Sequence, residues 1–380
     1  MSLQSLVFCS DDKILRVLRR VLSDLDIQMD HCLNADSTIH KITRQRYEAI
    51  IVDCSDEATA SPILKSIRSA PSNKRAIAVA ILDAQTAVRG AFDLGAHFVL
   101  YKPISNERAK SSFRAARALM KSERRRNQRI PVQIPVVLHT KDGMRQEAVT
   151  SDLGEGGMAV QTSKISKRRD QKLFAEFTLP DTDFKCDCLV EVAWENTARQ
   201  SGIRFTDLTP EVRERLRMWF NQHSTMPESD DPPMACKLTD LSTGGCYLEA
   251  NTPFPMRAKV ILSLALPGAK VQVSGVVRVM HPEKGMGVEF NQVTDEQCGL
   301  VEDFLKSLTD SAEGTNPEIM VEPEGLQSSD PADEEQAISK GIYDPLLDLF
   351  RRGLDLTFEE FQTEMHKQRG KKTKTASVSI

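Results

Sequence analysis

The sequence is poor in aromatic residues, in long apolar runs and in clustered cysteines. Aromatics make up 6% of its 380 residues, with two tryptophans and four tyrosines. A row of stacking side chains, the usual grip on single-stranded nucleic acid, is therefore not expected, and nucleic acid is an unlikely partner. No apolar run reaches the roughly 18 to 20 residues that a membrane-crossing helix needs. The eight cysteines are scattered, with no C-x-x-C pair. With no signal peptide apparent, the expectation is reduced, structural thiols in a cytoplasmic protein. Seven histidines lie far apart, without metal-ligand spacing. No nucleophile–base pair stands out either, so an enzyme is not expected. A net charge of −4 excludes a polyelectrolyte binder of nucleic acid. Charge is nevertheless uneven: residues 121–129 and 367–374 are basic, and 310–335 holds acids without lysine or arginine.

What is present is a multidomain pattern. Residues 1–122 alternate strand-like and helix-like segments. Four buried strands are read at "SLVFC", "YEAIIVDC", "AIAVAIL" and "HFVLYKP". Ile14, Val17, Leu18, Val21 and Leu22 fall on one helical face. This predicts a doubly wound α/β domain with a parallel sheet covered on both sides. In such sheets sites form at the carboxyl ends of strands, where Asp53 and Lys102 lie.

Beyond a helix running from Asn106, the period changes. Short strands broken by Gly, Pro and Asp over 123–224 predict a small antiparallel barrel, closed by a helix after Thr209. Residues 233–309 repeat the scheme. "DLGEGG" from Asp152 returns as "DLSTGG" from Asp240, and Gly202, Phe205 and Thr209 return as Gly287, Phe290 and Thr294. The domain is thus duplicated, although the second copy lacks a recognisable opening strand. Residues 310–340 read as a disordered acidic linker. Residues 341–380 read as an amphipathic helix with a basic tail, and Thr357 and Glu360 have capping-box spacing. Leu346, Leu347, Leu349 and Phe350 would dock on the protein itself or on a partner.

The first copy alone follows an arginine pair, Arg125 and Arg129. Guanidinium forks pair with phosphate or with the guanine edge and stack on bases. A facing Asp accepts from guanine N–H donors, and Gly lets backbone approach a ligand. The R-x-x-x-R pair, with Asp152 and Gly157 in D-x-x-x-x-G, resembles the PilZ domain. That resemblance implies a six-stranded antiparallel barrel that binds cyclic di-GMP through Arg125, Arg129, Asp152, Gly154 and Gly157. It departs at Gly154, where the family has Ser. In the second copy Asp240, Ser242 and Gly245 fit the turn, but no arginine pair leads into it. Arg213 and Arg217 have the spacing but belong to the first copy's closing helix.

The N-terminal domain resembles a response-regulator receiver. The resemblance implies Asp53 as phosphoacceptor, with Lys102 as its partner and Mg²⁺ as cofactor if the receiver is active. The family's acidic pair is displaced here. Cys9 and Ser10 stand at its positions, and Asp11 and Asp12, doubtful Mg²⁺ ligands, come one or two residues later. After the fourth strand comes Leu82-Asp83 in place of Thr or Ser. Three readings stay open: a phosphorylated receiver, a degenerate, phosphate-independent one, and an unrelated α/β domain.

Together these resemblances imply a cytosolic bacterial signalling adaptor. It would bind cyclic di-GMP in the first barrel and engage a protein partner through the second barrel or the C-terminal helix. The alternative is a ligand-independent scaffold of the same domains.

Overall fold

Continuous apolar strands need cover on both faces, and the N-terminal part of the chain supplies it. The computed structural model describes residues 2–83, 88–126, 128–140, 143–162, 172–196, 199–223, 231–291, 295–310, 317–327, 344–353 and 356–375. The first elements are β1 (Leu3–Phe8), α1 (Asp12–Asp24), β2 (Ile27–Cys32), α2 (Ala35–Arg44), β3 (Ala49–Asp53), α3 (Glu57–Ser69), β4 (Ile77–Leu82), α4 (Val88–Asp93), β5 (Phe98–Tyr101) and α5 (Asn106–Arg126). The strands form a parallel sheet in the order β2-β1-β3-β4-β5. Alternate residues of β3 serve opposite layers. Ile50 and Val52 pack with Ile42, Ile63 and Leu64, while Ile51 joins Leu18, Leu22 and Phe113. Five strands stand where four were read from the sequence. The extra one, β2, is an edge strand that buries only Ile27 and Cys32, so its apolar signal is faint.

The chain divides into two compact units, Arg124–Asp230 and Ser2–Glu123 with Asp231–Ile380. The first unit holds β6 (Arg129–Pro131), β7 (Pro135–Thr140), β8 (Arg145–Gly154), β9 (Gly157–Gln161), β10 (Leu173–Thr178), β11 (Lys185–Glu195), β12 (Gln200–Asp207) and α6 (Pro210–His223). Six strands close a barrel in the order β8-β7-β10-β11-β12-β9, with β9 returning to β8 and β6 flanking β8. Alternation sends Leu138, Met158, Ala175 and Ile203 inward, and Leu216, Trp219 and Phe220 of α6 complete the core. Cys186 and Cys188 also face that core, where burial pushes their thiols up to about 12.

The second barrel comprises β13 (Met234–Leu241), β14 (Gly245–Glu249), β15 (Ala258–Leu266), β16 (Ala269–His281), β17 (Gly285–Phe290) and β18 (Glu318–Leu326), with α7 (Asp295–Asp310) before β18. Its order, β13-β14-β17-β16-β15-β18, corresponds strand for strand to β8-β9-β12-β11-β10-β7. The place of β7, the N-terminal barrel strand of the first copy, is therefore taken by β18 from the C-terminal side. The second copy is a circular permutation of the first.

This corrects two expectations. Within 310–340 the residues 318–326 form a strand and not a linker, the segments 311–316 and 328–340 lying outside the described residues, and the second domain does not stop at 309. Ile319 and Val321 are buried between β13 and β15, while Glu318 and Glu322 face outward. Within the strand, Glu318 and Glu322 on its outward half made it read as part of the acidic run on either side. The C-terminal segment is likewise two helices, α8 (Pro345–Arg352) and α9 (Phe358–Thr375). The capping box forms: Glu360 accepts from the Thr357 amide at 2.8 Å, and Thr357 Oγ1 accepts from the Glu360 amide at 3.3 Å. Leu346, Leu347, Leu349 and Phe350 of α8 and Phe361 of α9 pack on Tyr247 and Val279 of the second barrel.

Candidate ligand site

In the first barrel the short strand β6 delivers an arginine to the turn. Arg129 pairs with Gly154 in register and Pro131 with Asp152. One guanidinium N–H of Arg129 donates to Asp152 Oδ1 at 2.8 Å. Arg125 sits upstream in the last turn of α5, and its carbonyl accepts the Gln128 amide at 2.9 Å, which tightens the bend between the two arginines. The glycines are there for close approach. A Cβ at Gly157 would fall 2.1 Å from the Ile203 carbonyl oxygen, and one at Gly154 would lie 3.3 Å from the carbonyls of Gln128 and Gly157. Arg129, Asp152, Gly154 and Gly157 thus come together at one edge of the barrel.

Two bulges shape the wall beside this turn. A register shift between Thr150 and Asp152 sets Asp152 opposite Ala159. Ala159 in turn faces Gly202, and a second shift, between Val192 and Trp194, sets Trp194 opposite Gly202. Opposed residues share a sheet face. The row Asp152, Ala159, Gly202, Trp194 therefore runs across four strands on the outer wall. Strict alternation from Cys186, Cys188 and Val190 would turn Trp194 inward; the bulge turns it out, and the residue is 46% exposed. A Cβ at Gly202 would lie 2.1 Å from Trp194 Nε1, so the indole rests directly on that glycine. "VEVAW" was read from the sequence only as a strand, because a bulge leaves no mark in the apolar pattern.

The second barrel repeats the row as Asp240, Tyr247, Gly287 and Val279, with matching shifts after Leu238 and Val277. Its turn is closed internally, since Ser242 Oγ accepts from the Gly245 amide at 3.1 Å. Asp344, the N-cap of α8, accepts from the Leu346 amide at 2.9 Å and from the Gly244 amide at 3.0 Å. A Cβ at Gly244 would meet the Asp344 carboxylate at 2.7 Å, and one at Gly287 would meet the Phe350 ring at 2.6 Å. At Gly156, the counterpart of Gly244, an added Cβ meets nothing within 4 Å. The same face is filled by the chain in one copy and open at the turn in the other.

At the strand ends of the N-terminal domain, Lys102 Nζ lies 2.9 Å from Asp53 Oδ1 and 3.3 Å from Asp83 Oδ1. The Ser55 hydroxyl donates to Asp53 at 2.8 Å, and the Cys9 thiol lies 3.4 Å from Asp53 Oδ2. Burial pushes the Asp53 carboxyl up, but the Lys102, Ser55 and Cys9 hydrogen bonds outweigh it and hold the group below its ordinary range. Burial raises Cys9 to about 12, so it stands there as a thiol. Asp11 caps α1, accepting from Lys13 at 2.7 Å and Ile14 at 3.3 Å, and Asp12 begins that helix exposed. A hard cation wants several oxygen ligands. A protonated thiol, a lysine-bound carboxylate and a helix-capping aspartate do not fit Mg²⁺. Among the described residues no group of three His, Cys, Asp or Glu side chains has metal-holding geometry.

The PilZ domain profile matches residues 123–222 and again 217–307. A search among curated proteins found no match. Among solved structures, the receiver domain of sensor histidine kinase PA1611 from Pseudomonas aeruginosa is 20% identical, covers 29% of this chain and 93% of its own, and has a TM-score of 0.25. The PilZ domain of CeSA from a cellulose-synthesizing bacterium is 22% identical, with 25% and 98% covered and a TM-score of 0.22. The Vibrio cholerae chemotaxis response regulator CheY4 is 16% identical, with 30% and 99% covered and a TM-score of 0.29.

Proposed function

Because the chain carries two tandem PilZ domains behind a receiver-like domain, we propose that it is a signalling adaptor that binds cyclic di-GMP through the first barrel. The observation that carries this reading is the Arg129–Asp152 pair at the open turn. The two side chains are 46% and 26% exposed, and an ion pair so close to water contributes about 0–1 kcal/mol. Arg129 is therefore parked at low cost. An incoming phosphate or guanine edge takes its fork bidentately, and Asp152 is freed to accept from guanine N–H groups. Arg125 adds a second cation one helical turn away. The outcome is passed to a protein partner in the cytosol. The receiver-like domain takes part without phosphorylation, its Asp53 being neutralised by Lys102 and its cation ligands missing.

A second reading, a scaffold that needs no nucleotide, is favoured by the self-filled face of the second barrel. Titration calorimetry separates the two. Full-length protein should bind cyclic di-GMP with micromolar affinity, about 8 kcal/mol. Arg125→Ala/Arg129→Ala should lose about two to four decades, the equivalent of two charged hydrogen bonds. No heat from the unaltered protein would leave the scaffold reading standing.

A further inference from the structure

An exposed indole resting against a glycine, at the end of a row that begins with the site's aspartate, has a use. We propose that Trp194 is a stacking platform for one purine base of the dinucleotide, and that Gly202 is the seat that holds the indole in place. This rests on the first barrel being a cyclic di-GMP site.

Three observations carry it. First, the two register shifts act together. The one before Asp152 and the one before Trp194 aim both residues onto a single outer row, and bulges beside sites re-aim side chains in this way. Secondly, the row has the right length. Three strand steps of about 4.8 Å place the indole about 14 Å from the carboxylate, the scale of a dinucleotide. Between them lie only Ala159 and Gly202, both buried, with Gly202 beneath the indole itself. Thirdly, the second barrel shows what this face accepts. There Val279 replaces Trp194, and the chain lays its own Phe350 ring on Gly287, the counterpart of Gly202. An apolar, planar group thus covers this glycine in both copies. In the first copy it is the indole, whose outer side remains exposed to water. Base–aromatic stacking uses such a surface, and Arg129 at the other end of the row meets the phosphates.

The test uses full-length protein, cyclic di-GMP and the only two tryptophans, Trp194 and the buried Trp219. Trp194→Ala should weaken binding about tenfold by calorimetry, about 1.4 kcal/mol. Trp194→Phe, which keeps a ring, should stay within about threefold of the unaltered protein. Saturating ligand should quench tryptophan emission in the unaltered chain and leave Trp194→Phe, with Trp219 alone, unquenched. Binding by Trp194→Ala within about twofold of normal, or full quenching in Trp194→Phe, overturns the platform. If the arginine variant has lost binding while Trp194→Ala has kept it, the platform alone falls and the nucleotide site stands. If the unaltered protein binds nothing, both fall together.

Discussion

The two barrels share six strands in one order, two bulges and a glycine turn, and they differ in what covers the same outer face. In the first, β6 brings Arg129 to Asp152, Gly156 is open, and Trp194 looks into water. In the second, the chain's own α8 supplies a carboxylate to Gly244 and a ring to Gly287. A face built to receive something is satisfied from within in one copy. The permutation belongs to the same difference. Because β18 closes the second barrel from the C-terminal side, the described residues of the second barrel include no counterpart of the segment that carries Arg125 and Arg129 into β7. The wall is thus common to both copies, and what covers it differs.

The comparison breaks first if β18 is not a true barrel strand. Val321 is fully buried between β13 and β15. Val321→Asp places an uncompensated charge there and should cost about 3–5 kcal/mol. Urea unfolding followed by circular dichroism should show the transition of its unit moved to lower denaturant. Nucleotide binding by the first barrel, a separate compact unit, should persist. An unmoved transition would show that the barrel does not need the strand.

How much of this was legible beforehand depended on which force left a mark in the residue order. The parallel sheet was legible, because β3 and β4 are buried on both faces and read as unbroken apolar runs. The duplicated turn was legible because close backbone approach at Gly157 and Gly245 admits no side chain. β18 was hidden by the acids on its outer face, and β2 by its position at the edge. Trp194 was hidden more thoroughly, since one extra residue at a bulge reverses the inward alternation that Cys186 to Val190 establish. The self-occupation of the second barrel turns on contacts about 100 residues apart, such as Asp344 to Gly244. Amphipathicity announced that α8 would dock somewhere; nothing in the local pattern said where.

A medium-sized effect sharpens the contrast by pH. His281 is buried beneath α9, with Tyr247 Oη 3.0 Å from its Nδ1 and Phe361 packed against its ring. Burial pushes it down to about 4 from an ordinary value of 6.5. Between those values the unfolded chain binds a proton that the folded chain refuses. Stability of the second barrel's unit should therefore fall as pH drops from 7 to 4, His281 contributing up to about 3 kcal/mol and His97, buried in the same unit and likewise pushed down, adding to the fall. Among the described residues of the first barrel no histidine is buried. Urea midpoints at pH 7, 5.5 and 4 should converge for the unaltered protein and His281→Gln as pH falls. Parallel lines for the two proteins would remove the histidine from the account.

The smallest effect concerns Gly154 and Ser242, one of the two positions at which the turns differ, Glu155 and Thr243 being the other. In the second copy Ser242 Oγ staples the turn to Gly245, so Ser242→Gly should cost about 1 kcal/mol, the worth of one such hydrogen bond. The reverse change is not a simple gain. At Gly154 a new Cβ would sit 3.3 Å from the Gln128 carbonyl, on the segment that carries Arg129, so the staple comes with pressure on β6. Gly154→Ser should then leave the first barrel less stable by under about 1 kcal/mol, the crowding slightly exceeding the bond. Thermal melts of the two single variants check both signs. A Gly154→Ser protein that melts higher than its parent would mean that β6 does not need a glycine to lie against the turn, and that the first copy lost its serine for no steric reason.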